Sequence, residues 1–183
     1  MTKRVSVFLA DGFEEIEGLT VVDLLRRARI NVTTVSITGT KKIHGAHGID
    51  VMADCLLEEM NYDGEDMLVL PGGMPGTRNL EQVPLLMEQV KAFAAAGKYI
   101  AAICAAPSVF GHLGLLEGKN ACCYPGFEEE LTGANVMFHP CEADGNIITS
   151  RGMGCAIDFS LKIIEKLEND DTASKIGRQI IYF

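Results

Sequence analysis

The sequence has no tryptophan, 7% aromatic residues and six prolines among 183 residues. A core short of large rings must be filled by Val, Ile, Leu and Ala, as in layered α/β proteins, and apolar residues make up 48% of the chain. No cluster of Lys and Arg is present, and the formal net charge is −9. That argues against a nucleic-acid partner, which is bound through basic side chains gathered on one face. No apolar run approaches the roughly 20 residues of a membrane-spanning helix. "VSVFLA", directly after "MTKR", is too short for a signal peptide. The expectation is a soluble, cytosolic chain with no membrane partner, folded as one domain over 1–183, in line with about 100–200 residues per domain.

A C-x-x-C pair is also missing. The six cysteines, Cys55, Cys104, Cys122, Cys123, Cys141 and Cys155, would form a disulfide framework only in a small secreted chain, so free thiols are expected. Adjacent Cys122 and Cys123 point to opposite faces of a strand. His139 and Cys141 lie one strand period apart but lack two further convergent ligands. No metal and no cofactor are expected.

What is present is an alternation of apolar runs. "RVSVFLA" (4–10) reads as a strand covered on both faces, and 16–28 follows with helical spacing at Ile16, Leu19, Val22, Leu24 and Leu25. Further strands are read at 31–37, 66–73 and 98–104, with helices at 83–96 and from about 105. Residues 41–54 read as a hairpin, "NACCYPG" as a strand, and a second hairpin turns at Asp144-Gly145 and ends in "NIITS". Helices at 154–167 and 170–181 complete the chain. The pattern predicts a mostly parallel sheet with helices on both faces, which places functional groups at the carboxyl ends of the strands.

Cys104 stands at such an end. The apolar run "KYIAAI" stops there and a run of small residues begins, with Ala101, Ala102, Ala105 and Ala106 around it. Small flanks suit a tight strand-to-helix turn, the arrangement of a nucleophile elbow with Cys in place of Ser. Free N–H groups at a helix start favour thiolate over thiol. This predicts that Cys104 is the most acidic and most peroxide-sensitive of the six thiols. Pattern alone leaves a second reading, a small core cysteine, because free Cys is among the most buried residue types.

"AAICAAP" (101–107), "LADGFEEIE" (9–17), "VLPGG" (69–73) and "ITSRGMGCAIDF" (148–159), four separated motifs in order over nearly the whole chain, resemble the ThiJ/PfpI superfamily. Within it they are similar to the DJ-1 branch, that of the Parkinson-disease deglycase and its bacterial relatives. The resemblance implies a flavodoxin-like α/β sandwich and a homodimer, with the first helix (Gly18, Leu19, Val22) in the interface. It implies that Cys104 is the reactive cysteine, Glu17 its partner carboxylate, and the backbones of Gly73 and Ala105 the oxyanion donors. Gly72, Tyr124, Arg151 and His47 are expected to line the pocket. Without the resemblance, the residues do not choose among Glu14, Glu15 and Glu17, all suited to a helix start.

The sequence departs from the family at three places. Tyr124 stands where many members carry a His, and a phenol of pKa about 10 is no base near neutral pH. His47, close to a position where relatives have Arg, is the best of four poor histidine substitutes. Met153 and Cys155 replace the Pro and Thr common in the "SRGPGT" loop. "HPCE" (139–142) lacks the context of an amidotransferase His-x-Glu. Two functions are implied: a glyoxalase or deglycase acting on small dicarbonyls or glycated protein, with Glu17 as acid/base, or a redox sensor or chaperone in which Cys104 becomes a sulfinate. A PfpI-type peptidase is disfavoured because Ala105 stands where that branch has His, and no residue argues for thiazole chemistry.

Overall fold

The computed structural model describes residues 2–183. The chain opens with β1 (Arg4–Leu9), α1 (Glu15–Arg27) and β2 (Asn31–Ser36). A small antiparallel hairpin, β3 (Lys42–His44) and β4 (Asp50–Met52), precedes β5 (Cys55–Leu56) and β6 (Met67–Leu70). Then come α2 (Gly76–Glu81), α3 (Pro84–Ala95), β7 (Tyr99–Ile103) and α4 (Pro107–His112). The remainder comprises β8 (Asn120–Ala121), β9 (Asn135–Val136), β10 (Cys141–Asp144), β11 (Ile147–Ser150), α5 (Ala156–Leu167) and α6 (Asp170–Gln179).

Seven strands form the main sheet in the order β10-β11-β7-β6-β1-β2-β5. Every neighbouring pair is parallel except the β10–β11 hairpin at one edge. The run β2-β1-β6-β7-β11 is the doubly wound order of flavodoxin-like sheets. Alternation along the strands divides the core in two. Val5, Val7 and Leu9 join Val69, Ala101 and Ile148 beneath α1, α5 and α6. Phe8, Leu68, Leu70 and Ile100 face the opposite layer, built on Leu80, Val90, Phe93 and Phe110 of α2, α3 and α4. Burial on both faces is why the central strands read as unbroken apolar runs.

The helix limits follow from local chemistry. Glu15 and Glu17 lie in the first turn of α1 and Arg26 and Arg27 in its last, each favourable to the helix dipole. Pro84 opens α3, where a missing N–H costs nothing. The Asn169 side chain accepts from Thr172 N–H at 2.9 Å to cap α6.

Three features differ from the sequence reading. "NACCYPG" is not a strand of the main sheet: β8 has two residues and pairs only with β9, because Cys122 N–H is taken by Thr149 Oγ1 at 3.0 Å. The helix after Cys104 starts at Pro107 and is six residues long, and the short α2 lies between the strand read at 66–73 and the helix read at 83–96. On α1, Gly18 and Val22 are buried and turn into the core instead of outward, leaving Ile16 and Leu19 exposed.

A Cβ at Gly18 would lie 2.8 Å from Phe13 Cε2 and 3.4 Å from Leu9 Cδ2. Gly18→Val should therefore overpack the α1 face and cost about 1–3 kcal/mol. That corresponds to a fall in Tm of roughly 2–12 °C for a chain of this size. Thermal unfolding followed by circular dichroism measures it, and an unchanged Tm would contradict the inward placement of Gly18.

Candidate active site

The loops after β6, β7 and β11 meet at one edge of the sheet because these neighbouring strands run parallel and end together. Cys104 is the first residue beyond β7 and has φ +68°, a left-handed conformation uncommon outside glycine. Both of its backbone groups are held: its N–H donates to Ser150 O at 2.9 Å, and its carbonyl accepts from Tyr124 N–H at 2.8 Å. Those bonds over-determine a conformation that would otherwise relax. Ala105 and Ala106 are buried in the crowded turn, and the thiol itself is half-buried.

Glu17, one turn into α1, is 1% exposed. Its Oε2 accepts from Gly72 N–H at 2.9 Å, and the Cys104 side chain and the Met153 backbone lie near enough to influence its ionisation. This close approach requires Gly72, where a Cβ would come within 2.5 Å of Glu17 Oε2 and 2.6 Å of Cys104 Cβ. Gly73 has φ +92°, and its N–H, with that of Ala105, is directed at the Cys104 sulfur.

Burial pushes the Glu17 carboxyl up to about 7, with the charge of Glu14 adding to the rise; the hydrogen bonds from Cys104, Gly72 and Met153 oppose it. Burial, then the charge of Glu17 and the bond to it, pushes the Cys104 thiol up to about 12, against the N–H groups of Ala105 and Gly73. The N–H groups at the start of the helical segment favour a thiolate, as expected, while burial and the facing ionised carboxylate oppose it. Once Glu17 carries the proton, the two charge effects on Cys104 disappear and the carboxyl becomes a donor. Near neutral pH the pair can hold one proton between sulfur and carboxylate.

The structure separates the three glutamates that the residues alone left open. Glu15 is buried and accepts from His47 N–H at 2.7 Å and His47 Nδ1 at 2.9 Å, fastening the β3–β4 turn to α1. Burial raises its pKa, but the His47 side chain and backbone N–H groups outweigh this and hold it below the usual value. His47, expected at the pocket, is occupied there and also lies 3.4 Å from Glu14; Glu15 and Glu14 raise its pKa. Arg151 is likewise diverted: its guanidinium lies 5.8 Å from the centre of the Phe138 ring, and its N–H donates to Pro140 O. Tyr124 is brought to the elbow through its backbone, with a half-exposed ring.

Among the described residues, Glu14, Glu15 and His47 form a trio whose donor atoms lie within 4.8 Å of one another. Their mutual hydrogen bonds account for that spacing. His139 pairs with Glu142, not with Cys141. Met153 was read in the sequence only as a departure in the "SRGPGT" loop; the nearness of its backbone to Glu17 leaves no trace in side-chain type. The neighbouring glycines of "SRGMG" were the nearest signal.

The DJ-1/PfpI family matches residues 3–166. Protein DJ-1 homolog B of Arabidopsis thaliana is 38% identical over 182 residues, 98% of this chain but 42% of the relative, so the chain spans less than half of that protein. Glutathione-independent glyoxalase DJR-1.2 of Caenorhabditis elegans is 30% identical over 165 residues, covering 89% of this chain and 87% of the relative. The structure of oxidized Toxoplasma gondii DJ-1 superposes with a TM-score of 0.95 at 36% identity, covering 98% of each chain.

The raised Glu17 pKa has a sign that stability measurements can read. The folded state holds this proton up to about pH 7, whereas an unfolded glutamate releases it near pH 4.3. Stability is therefore highest below the unfolded value and is lost as pH rises through the folded one. The unfolding free energy of wild type minus that of Glu17→Gln should fall by about 3 kcal/mol between pH 4.5 and 7, then level off. Denaturant titrations across that range test it; a flat difference would mean that Glu17 ionises as an ordinary carboxylate.

Proposed function

The chain belongs to the DJ-1/PfpI family, and from that premise we propose that it is a glutathione-independent glyoxalase or deglycase. Its substrates are small reactive dicarbonyls, free or as adducts on protein. The observation that carries this reading is the Cys104–Glu17 pair: a thiol on a left-handed elbow beside a buried carboxyl, the two meeting around Gly72, with burial pushing that carboxyl up to about 7. A general acid/base is most effective when its pKa lies near the working pH. The nematode relative, a glutathione-independent glyoxalase by name, supports the same reaction class.

In this reading the thiol proton passes to Glu17 as sulfur bonds to the aldehyde carbon of the dicarbonyl. The N–H groups of Gly73 and Ala105, already directed at the sulfur, receive the oxygen that gains charge. Glu17 hands the thiol proton on to that oxygen, giving a hemithioacetal and leaving the carboxylate free. Glu17 then takes the proton from the former aldehyde carbon and returns it to the neighbouring carbon, while the hemithioacetal hydroxyl proton passes to the ketone oxygen, leaving a thioester of a 2-hydroxy acid. Water cleaves the thioester, releasing the acid and restoring the thiol. No electrons enter or leave, so no redox cofactor is needed.

A sensor or chaperone is the second reading, and the same pair supports it: a protonated Glu17 would hydrogen-bond a sulfinate on Cys104. Turnover decides between them. Purified protein should form the hydroxy acid from methylglyoxal, Cys104→Ser should abolish this, and Glu17→Gln should lower kcat by about 100-fold or more. Wild-type protein that consumes no dicarbonyl but oxidises at Cys104 under mild peroxide would favour the sensor.

We read residues 1–183 as one DJ-1/PfpI domain acting in the cytosol, where six unpaired cysteines stay reduced. A homodimer is supported by a groove of about 710 Å³ along α1, lined by Ile16, Leu19, Ile49, Ile157, Ile180 and Ile181. Ile16, Leu19, Ile49 and Ile181 are all exposed, an apolar surface of the kind protein interfaces cover. Light scattering at micromolar concentration should give the dimer mass for wild type and the monomer mass for Leu19→Glu; a wild-type monomer would exclude this interface.

A further inference from the structure

Two large apolar side chains stand half-exposed beside the catalytic pair, Tyr124 and Met153, each 50% exposed. Neither is a stray surface residue, because the backbone of each is part of the site. Tyr124 N–H donates to Cys104 O at 2.8 Å, and the Met153 backbone lies close to the Glu17 carboxyl. Between them lies Gly152. A Cβ on it would sit 3.2 Å from Tyr124 Cδ2 and 4.0 Å from Glu17 Oε1. The tyrosine ring thus rests against bare backbone one atom's breadth from the carboxyl. The carboxyl itself is buried, the Tyr124 ring borders it across Gly152, and the exposed Met153 side chain springs from the next residue.

The order of atoms in the reaction determines which part of a substrate meets that surface. In a 2-oxoaldehyde, R–CO–CHO, sulfur bonds to the aldehyde carbon, and Glu17 must reach both that carbon and its neighbour to carry the proton between them. R is attached to the neighbouring carbon. With the aldehyde carbon over Cys104 and the proton path over Glu17, R extends past the carboxyl to Tyr124 and Met153. A methyl group leaves most of both side chains in water. An aromatic or branched apolar R removes apolar surface on both partners from water, the contact that separates such substrates by binding.

We propose that Tyr124 and Met153 form a specificity wall that selects dicarbonyls bearing an aromatic or bulky apolar substituent over methylglyoxal. The proposal rests on the dicarbonyl reading of the site. Met153 is unbranched and adaptable, suited to substituents of differing shape, and the Tyr124 ring offers a flat face for an aromatic one.

The experiment compares kcat/KM for phenylglyoxal and methylglyoxal in wild type, Tyr124→Phe, Met153→Ala and the double variant Tyr124→Ser/Met153→Ser. Wild type and Tyr124→Phe, which keep the ring, should favour phenylglyoxal. The ratio should fall at least tenfold in the double variant and part of the way in Met153→Ala, chiefly through a higher KM for phenylglyoxal. A ratio unchanged by removing both side chains would overturn the wall. A second readout needs no turnover: alkylation of Cys104 by N-benzyl iodoacetamide against iodoacetamide, each scaled to its rate on the denatured chain. Preference for the benzyl reagent in wild type, lost in the double variant, supports the wall; equal scaled rates overturn it. Retained benzyl preference with no hydroxy acid from either aldehyde would remove the reaction proposed above while leaving the apolar wall in place.

Discussion

A carboxyl group that is 1% exposed must keep its proton or be given donors, and the architecture around Glu17 does part of each. Two backbone N–H groups, from Gly72 and Met153, and the Cys104 thiol converge on it. They do not fully replace water, so the group titrates near neutrality. Those donors belong to three separate loops. The loop after β6, the elbow after β7 and the turn after β11 must all arrive at one place for the carboxyl to be tolerated there.

The parallel sheet makes that arrival possible. β6, β7 and β11 are neighbours in register, so their carboxyl ends emerge side by side and need only short loops to meet. Crowding at the meeting point is relieved by removing atoms: Gly72 leaves room for both Glu17 and Cys104, and Gly73 adopts a positive φ against the backbone of residues 12–14. Cys104 has no such relief. It holds a left-handed conformation with a side chain, anchored on either side by Ser150 and Tyr124, and the sulfur is displayed above the sheet as a result.

Around this centre, charged residues are turned toward structure more than toward the sulfur. Glu15 and His47 tie the β3–β4 turn to α1, and Arg151 lies over Phe138. What borders the pair across Gly152 is the Tyr124 ring. The apolar groove along α1 is separate from both, lined by residues of α1, α5 and the segment after α6. One helix therefore serves two surfaces, with Glu17 on its inner face and Leu19 on its outer.

The two-layer α/β architecture was legible because its central strands are buried on both faces and so appear as continuous apolar runs, each ending in the small or breaking residues that mark a functional edge. Cys104 was legible for the same reason, as the point where such a run stops among alanines. Short elements were not: β8 and β9 have two residues each, too few for any periodicity, and "NACCYPG" looked like a central strand until Thr149 took the Cys122 N–H. Gly18 and Val22 could be assigned inward or outward only once the neighbours of α1 were in place. Which of Glu14, Glu15 and Glu17 meets the sulfur was open in the residues themselves, since all three suit a helix start. Tertiary structure decided it, because only packing places one carboxyl under Gly72 and another under His47. The surroundings of Cys104 were decided there too: a helix start is visible in sequence, but the facing carboxyl that opposes a thiolate lies 87 positions away in the chain and is adjacent only in the fold.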